Sequence, residues 1–486
     1  MKQYIKTVIF ILCTFLISCS EEAITSYTEV ESVADIYPQY DGTYIPYNIA
    51  PINFRIENDA DKFRVRFVSR KDSFEISTSK NVKIPLKKWK DLLEGNRGDS
   101  LRVKIFAKQN SLWQKYEDIN FIIAEEAIDP YIAYRLIEPG YAAWNKMGLY
   151  QRCIEDFEES PIMLNTLTDK KGCMNCHSFW NNDPGYMLFH LRHGNPGTIM
   201  ATNGEVKKVD IKASWMNNGA VYPRWHPSAR YVAFSSNKTD QRFRVAHTNK
   251  IEVFDYESDI VIYDVEENKI FTSDLLNSRN SFETFPEWSP DGLFLYFCSA
   301  QATVMPEKFD SLKYDLVRVA FDPATRQFSN KADTVVSARE TGKSVSMPRI
   351  SPDGKHLLFC MSDYGTFPIW HRENDIYHLN LETGEMDNMS EMNSDQSDSY
   401  HSWSSNGRWI IFSSRRMDGT YTRPYISYFD LEGNAHKPIL LPQERPDYYD
   451  YLLKSYNIPE FITGKIEISP NEFREVARSE AIIPES

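Results

Sequence analysis

Between Pro51 and Ala124 apolar and polar residues alternate in short runs. Asn53-Phe54-Arg55-Ile56, Phe63 to Val68, Leu101 to Phe106 and Ile119 to Ile123 each repeat with a period of two. That period belongs to a strand with one face in a core and the other in water. A unit of this length made of such strands predicts an immunoglobulin- or fibronectin-like β-sandwich over residues 49–126. Residues 19–48 are polar and Tyr-rich and read as a tether.

A longer pattern follows. Tyr222 to Ser235, Phe285 to Cys298, Met347 to Cys360 and Tyr400 to Ser413 align with one another. Each begins on an aromatic or apolar residue, passes through a Ser-Pro-Asp-Gly-like turn and runs into an apolar strand. Pro sets φ in such a turn, Asp caps it and Gly takes the left-handed position. A second hairpin recurs inside each repeat, at Asp259 to Tyr263, Asp315 to Val319 and Asp375 to Leu379. Four strands in a period of roughly 50–65 residues predict a propeller blade. Two degenerate blades precede these. One comprises Pro184 to His190, Thr198 to Thr202 and Val206, and the other Ile132 to Ile137, Leu149 to Ile154 and Pro161 to Leu164. The fold class is therefore all-β: an N-terminal β-sandwich followed by a roughly six-bladed β-propeller over 130–441. The tail, 442–486, is expected to pack on the propeller.

The repeats resemble the TolB-type propeller family, whose blades carry the same Trp-Ser-Pro-Asp-Gly turn. The resemblance covers Val221 to Leu441 well and Ile132 to Asp210 weakly. His226 stands where that turn has Ser, and Ser405-Asn406-Gly407 replaces Pro-Asp-Gly. The family has an α/β N-terminal domain, whereas this chain's N-terminal region reads as strands, so the family's partners do not carry over.

Lys plus Arg is 55 and Asp plus Glu is 68, a net charge of −13, which argues against nucleic acid as a partner. The first 18 residues have a basic start (Lys2, Lys6) and an apolar run from Val8 to Ile17 too short to span a bilayer comfortably. They read as a signal peptide. Leu16-Ile17-Ser18-Cys19 resembles the bacterial lipobox, which makes Cys19 the lipidated first residue of the mature chain and the membrane its anchor. Ser20-Glu21-Glu22 resembles an acidic surface-export tag of Bacteroidetes-type lipoproteins. The expected location is outside the cytoplasm, in the periplasm or on the cell surface.

Cys173-Met174-Asn175-Cys176-His177 has the Cys-x-x-Cys-His spacing of c-type haem attachment. Two cysteines at this spacing reach two vinyl groups on one porphyrin edge, and the adjacent His reaches the iron. The expectation is covalent haem c on the loop near 172–180, with His177 as one axial ligand. His190 is the first choice for the second, because its repeat equivalents are Ser235, Cys298, Cys360 and Ser413. Met187 is the alternative, with His193, Met147 and His226 behind it, and five-coordinate iron is a further arrangement. A Cys173–Cys176 disulfide and a zinc site remain open, although no further Cys-x-x-Cys or His-x₃₋₅-His supplies the remaining zinc ligands.

Two functions follow. One is an exported, lipid-anchored haem propeller that transfers electrons to a protein partner or senses redox state. The other is a non-enzymatic propeller scaffold that binds protein or glycan, with haem structural or absent. A hydrolase is disfavoured, since no Gly-x-Ser-x-Gly occurs.

Overall fold

The computed structural model describes residues 23–138, 146–169, 172–216, 218–244, 246–247 and 249–486. The signal peptide and Cys19 lie outside the described residues.

In the N-terminal region the long strand Ser100–Gln109 is central. Lys62–Val68 pairs along one side, with Ser73–Thr78 beyond it. Leu112–Glu117 and Ile119–Ala124 lie end to end along the other side. Thr28–Val33 and Thr43–Pro46 add to these as parallel edge strands. Ile36–Tyr37, Phe54–Ile56 and Asn81–Val82 form a separate three-stranded sheet. Helix Leu86–Gly95 buries Trp89, Leu92 and Leu93 against the same core, and Trp89 Nε1 donates to Ile49 O at 3.0 Å.

Two expectations change here. The stretch read as a tether supplies strands, because Ala34, Ile36, Tyr40 and Ile45 are buried anchors separated by exposed residues. The region also departs from an immunoglobulin-like sandwich in having a helix and parallel edge pairing, and its sheets are unequal, with seven and three strands.

Six four-stranded sheets follow. Blades 2 to 6 each use four consecutive strands, and their inner strands are Cys173–Trp180, Ala220–Trp225, Ser281–Trp288, Ser344–Ile350 and Asp398–Trp403. Blade 1 takes Tyr131–Ile137, Met147–Cys153 and Glu159–Leu164 from the start of the region. Its fourth strand, Ser455–Ile462, comes from the tail and pairs antiparallel with Tyr131–Ile137. Each inner strand contacts the next, and Ser455–Ile462 contacts both its neighbours, Asp398–Trp403 and Cys173–Trp180. The arrangement is therefore a propeller-like ring closed by the C-terminal strand. The tail goes further than packing on the ring: it completes a blade. Helix Pro470–Arg478 then seats Phe473 and Ala477 in the core between blades 1 and 2.

The N-terminal region rests on blades 6 and 1. Asp129 accepts from Ser405 N (2.7 Å) and Ser405 Oγ (2.5 Å), and Tyr44 stacks on Tyr428 at 4.8 Å. Blade 3 carries an extended hairpin, Tyr231–Phe243 with Ile251–Asp264. Its Glu252 reaches the segment after the second strand of blade 5, accepting from Tyr364 Oη at 3.0 Å and facing His371 Nε2 at 2.9 Å.

Candidate functional site at the mouth of the ring

All six inner strands are interrupted at the same place. Cys176, Tyr222, Phe285, Met347, Tyr400 and Ile458 each have φ between +49° and +55°. In every one of these strands the ladder slips at that point. This is a β-bulge, which kinks the strand and re-aims the side chains after it. A Pro follows the bulge in four blades (Pro223, Pro286, Pro348, Pro459) and a His in the other two (His177, His401). Pro lacks an N–H, which suits a position where the ladder is broken.

Two residues past the bulge stand Ser178, Arg224, Glu287, Arg349, Ser402 and Glu460, one from each blade. Arg224 holds this set together. Its Nη1 donates to Ser178 Oγ at 3.2 Å and to Glu460 Oε1 at 3.1 Å, and its Nε lies 3.0 Å from Glu287 Oε2. Arg349 Nη1 approaches the same Glu287 oxygen at 3.6 Å. Burial raises Glu287 to about 7 against the opposing pull of Arg224. Arg224, Glu287, Arg349, Ser402 and Glu460, with the indoles of Trp225, Trp288 and Trp403, line a cavity of about 400 Å³, and Ser178 stands behind Arg224. Trp225 Nε1, Trp288 Nε1 and Ser402 Oγ are buried in its wall without a hydrogen-bond partner.

The Ser-Pro-Asp-Gly turns rim the cavity. Asp291 Oδ1 accepts from Ser289 Oγ at 2.5 Å and Leu293 N at 2.9 Å, with Gly292 at φ +74°. In blade 3, His226 replaces the Ser: Nδ1 lies 2.7 Å from Ser228 Oγ and Nε2 3.0 Å from Gly292 O. That spends both ring nitrogens on the turn and on the neighbouring blade.

The Cys-x-x-Cys-His segment occupies the inner strand of blade 2, and Cys176-His177-Ser178-Phe179 is the structural equivalent of Tyr400-His401-Ser402-Trp403. Cys173, Cys176 and His177 are 7%, 5% and 3% exposed. The Cys176 thiol lies against the Tyr222 backbone of blade 3, and burial raises its pKa, keeping it a thiol. The bulge sends His177 the other way, against the Ile458 backbone of blade 1 and 3.9 Å from Glu460 Oε2.

In this fold the side chains of the Cys-x-x-Cys-His segment face different blade interfaces. One porphyrin needs both thioethers and the axial imidazole on a common site, whereas Cys176 and His177 serve opposite blade interfaces. The His190 ring packs on Phe234 of blade 3 at 5.6 Å. Met187 is wholly buried in the core shared by blades 1 and 2. Met147 Sδ accepts from Met174 N at 3.2 Å, and His193 is an exposed turn residue at φ +63°. Neither the mouth cavity nor the cavity beside His190 is lined by either cysteine. Cys173 and Cys176 are free thiols, and no group of three metal-ligating side chains occurs among the described residues.

The ring of six was missed in the sequence because its members differ chemically. The signal was their fixed offset from the aligned residues that begin each repeat.

No protein family matches this chain by sequence, and no curated protein does. Solved structures do resemble it. An oligogalacturonate lyase in complex with manganese is 11% identical with a TM-score of 0.38, over 65% of this chain and 75% of that one. A puromycin hydrolase, as an S511A mutant, is 12% identical with a TM-score of 0.40, over 66% and 54%. Prolyl oligopeptidase B from Galerina marginata is 9% identical with a TM-score of 0.33, over 76% and 50%. This chain thus spans about half the length of the last two. All three are propeller-type proteins, and likeness at this level carries no argument about activity.

Proposed function

We propose that this chain is a recognition propeller, anchored outside the cytoplasm through lipid on Cys19, whose axial mouth binds the hydroxyl groups of a neutral saccharide. The observation that carries the reading is the ring Ser178–Arg224–Glu287–Arg349–Ser402–Glu460. It sets two guanidinium groups, two carboxyl groups and two hydroxyls around one axis, one from each blade, so hydrogen-bond donors and acceptors are both present and neither sign of charge is in large excess. Such a ring suits a ligand that is itself both donor and acceptor and carries no charge. The cavity, at about 400 Å³, falls within the ~300–1,000 Å³ of small-molecule sites. The N-terminal region acts as the spacer between membrane and ring.

Screening the mature protein on immobilised neutral oligosaccharides, then titrating the retained ones calorimetrically, tests this. Binding is expected, and Arg349→Ala is expected to weaken it about tenfold with the thermal midpoint nearly unchanged. The reading fails if no neutral saccharide is retained, or if Arg349→Ala leaves affinity untouched. Expression in a host with a haem-maturation system is expected to yield a colourless protein. A Soret band lost in Cys173→Ala/Cys176→Ala would restore the redox reading.

A further inference from the structure

We propose that a second cavity, at the other end of the inner strands and between blades 2 and 3, binds a compact oxyanion: a carboxylate or phosphate group held by His190, Arg192 and Lys212. This goes beyond the saccharide reading and does not depend on it. The cavity measures about 590 Å³ and lies where the second strand of blade 2 ends and the inner strand of blade 3 begins.

His190 forms part of its wall and is only 5% exposed. Its Nδ1 lies 2.8 Å from Thr198 Oγ1, while Nε2 is buried with no partner. Burial, with Arg192 nearby, lowers His190 to about 3, so the ring is neutral near pH 7. When the Thr198 hydroxyl donates to Nδ1, the single ring hydrogen sits on Nε2. The wall then contains an N–H donor that lacks an acceptor, a costly arrangement that an anion's oxygen would relieve.

The surrounding charge points to the same chemistry. Arg192 and Lys212 line the cavity, are exposed, and form no ion pair among the described residues. Lys238 also lines it but is paired with Glu257 at 2.9 Å. Asp210 is the one carboxylate among the lining residues. In a chain of net charge −13, two cations without an ion-pair partner, against one carboxylate, beside an unsatisfied buried donor form a local exception. A guanidinium, an ammonium and a neutral imidazole lining one cavity match an oxyanion.

The test titrates the mature protein with inorganic phosphate and, in parallel, with glucuronate, in physiological salt at neutral pH. Saturable one-to-one binding of at least one is expected, and which one binds identifies the source of the oxyanion. Arg192→Gln and His190→Leu are each expected to weaken binding about tenfold. His190→Gln, which keeps an N–H donor, is expected to retain most of it, and Arg349→Ala at the mouth to leave it unchanged. If neither ion saturates, or if Arg192→Gln binds as the parent does, the proposal is overturned. Because Arg192 is exposed, that variant stays informative even if His190→Leu does not fold.

Discussion

Ala229 sits in the turn of blade 3 at φ +59°, where blades 4, 5 and 6 have Gly292, Gly354 and Gly407 at +67° to +75°. A side chain in this conformation costs about 1–2 kcal/mol that glycine avoids, offset by the roughly 0.5–1 kcal/mol of chain entropy that glycine loses on folding. Ala229→Gly is therefore expected to stabilise the protein by about 0.5 kcal/mol, read as a rise in the denaturant midpoint at constant slope. No such gain is expected at Tyr222 or Phe285, whose left-handed residues also pack ring against ring at 4.5 Å. At those positions the lost contact outweighs the relieved backbone. Cys176 occupies the same position in blade 2, where its burial suits a small apolar thiol.

At the scale of the element, the extended hairpin of blade 3 is fastened by charge. Burial alone would lower His371, but its hydrogen bonds to Glu252 and Glu373 outweigh that and raise it to about 9. A folded value above the unfolded ~6.5 means that the protonated ring's contribution is complete below about pH 6.5 and is lost as pH rises through about 9. The thermal midpoint should fall across that interval. Glu252→Gln should flatten the slope and, by leaving a buried charge with a weaker partner, cost on the order of 3 kcal/mol at neutral pH. Melting curves of both proteins between pH 6 and 10 check this.

Much of this level was readable beforehand. The alternation at Phe63 to Val68 and the turn at Ser289-Pro290-Asp291-Gly292 are local signals, and both lie where expected. Cys173 to His177 carries spacing but not direction, so the motif alone does not say which way Cys176 and His177 point. The bulge that separates Cys176 from His177 is set by the repeat, and comparing Cys-His-Ser-Phe with Tyr400-His-Ser-Trp403 would have exposed it. Glu252 and His371 are 119 positions apart, and no periodicity links them.

At the scale of the whole molecule, the ring depends on one late strand. Ser455–Ile462 lies between Asp398–Trp403 and Cys173–Trp180, and Ser413 Oγ and Thr422 Oγ1 both donate to Tyr456 O, at 2.9 and 2.7 Å. The sequence hid this because the strand is isolated from its sheet by most of the chain. A truncation ending at Leu452 is expected to lose the cooperative unfolding transition, since it uncovers Tyr131–Ile137 and removes Glu460 from the mouth. One ending at Ser479, which keeps Phe473 seated, should retain it. Calorimetry of the two truncations distinguishes these outcomes.

That dependence also orders events in time. While the polypeptide is being made, blades 2 to 6 can pair within themselves, but the circle stays open until residue 462 has emerged. Every premature stop upstream of it is then equivalent to an open ring, and the unfinished chain must be shielded at two bare edges until Ser455–Ile462 arrives.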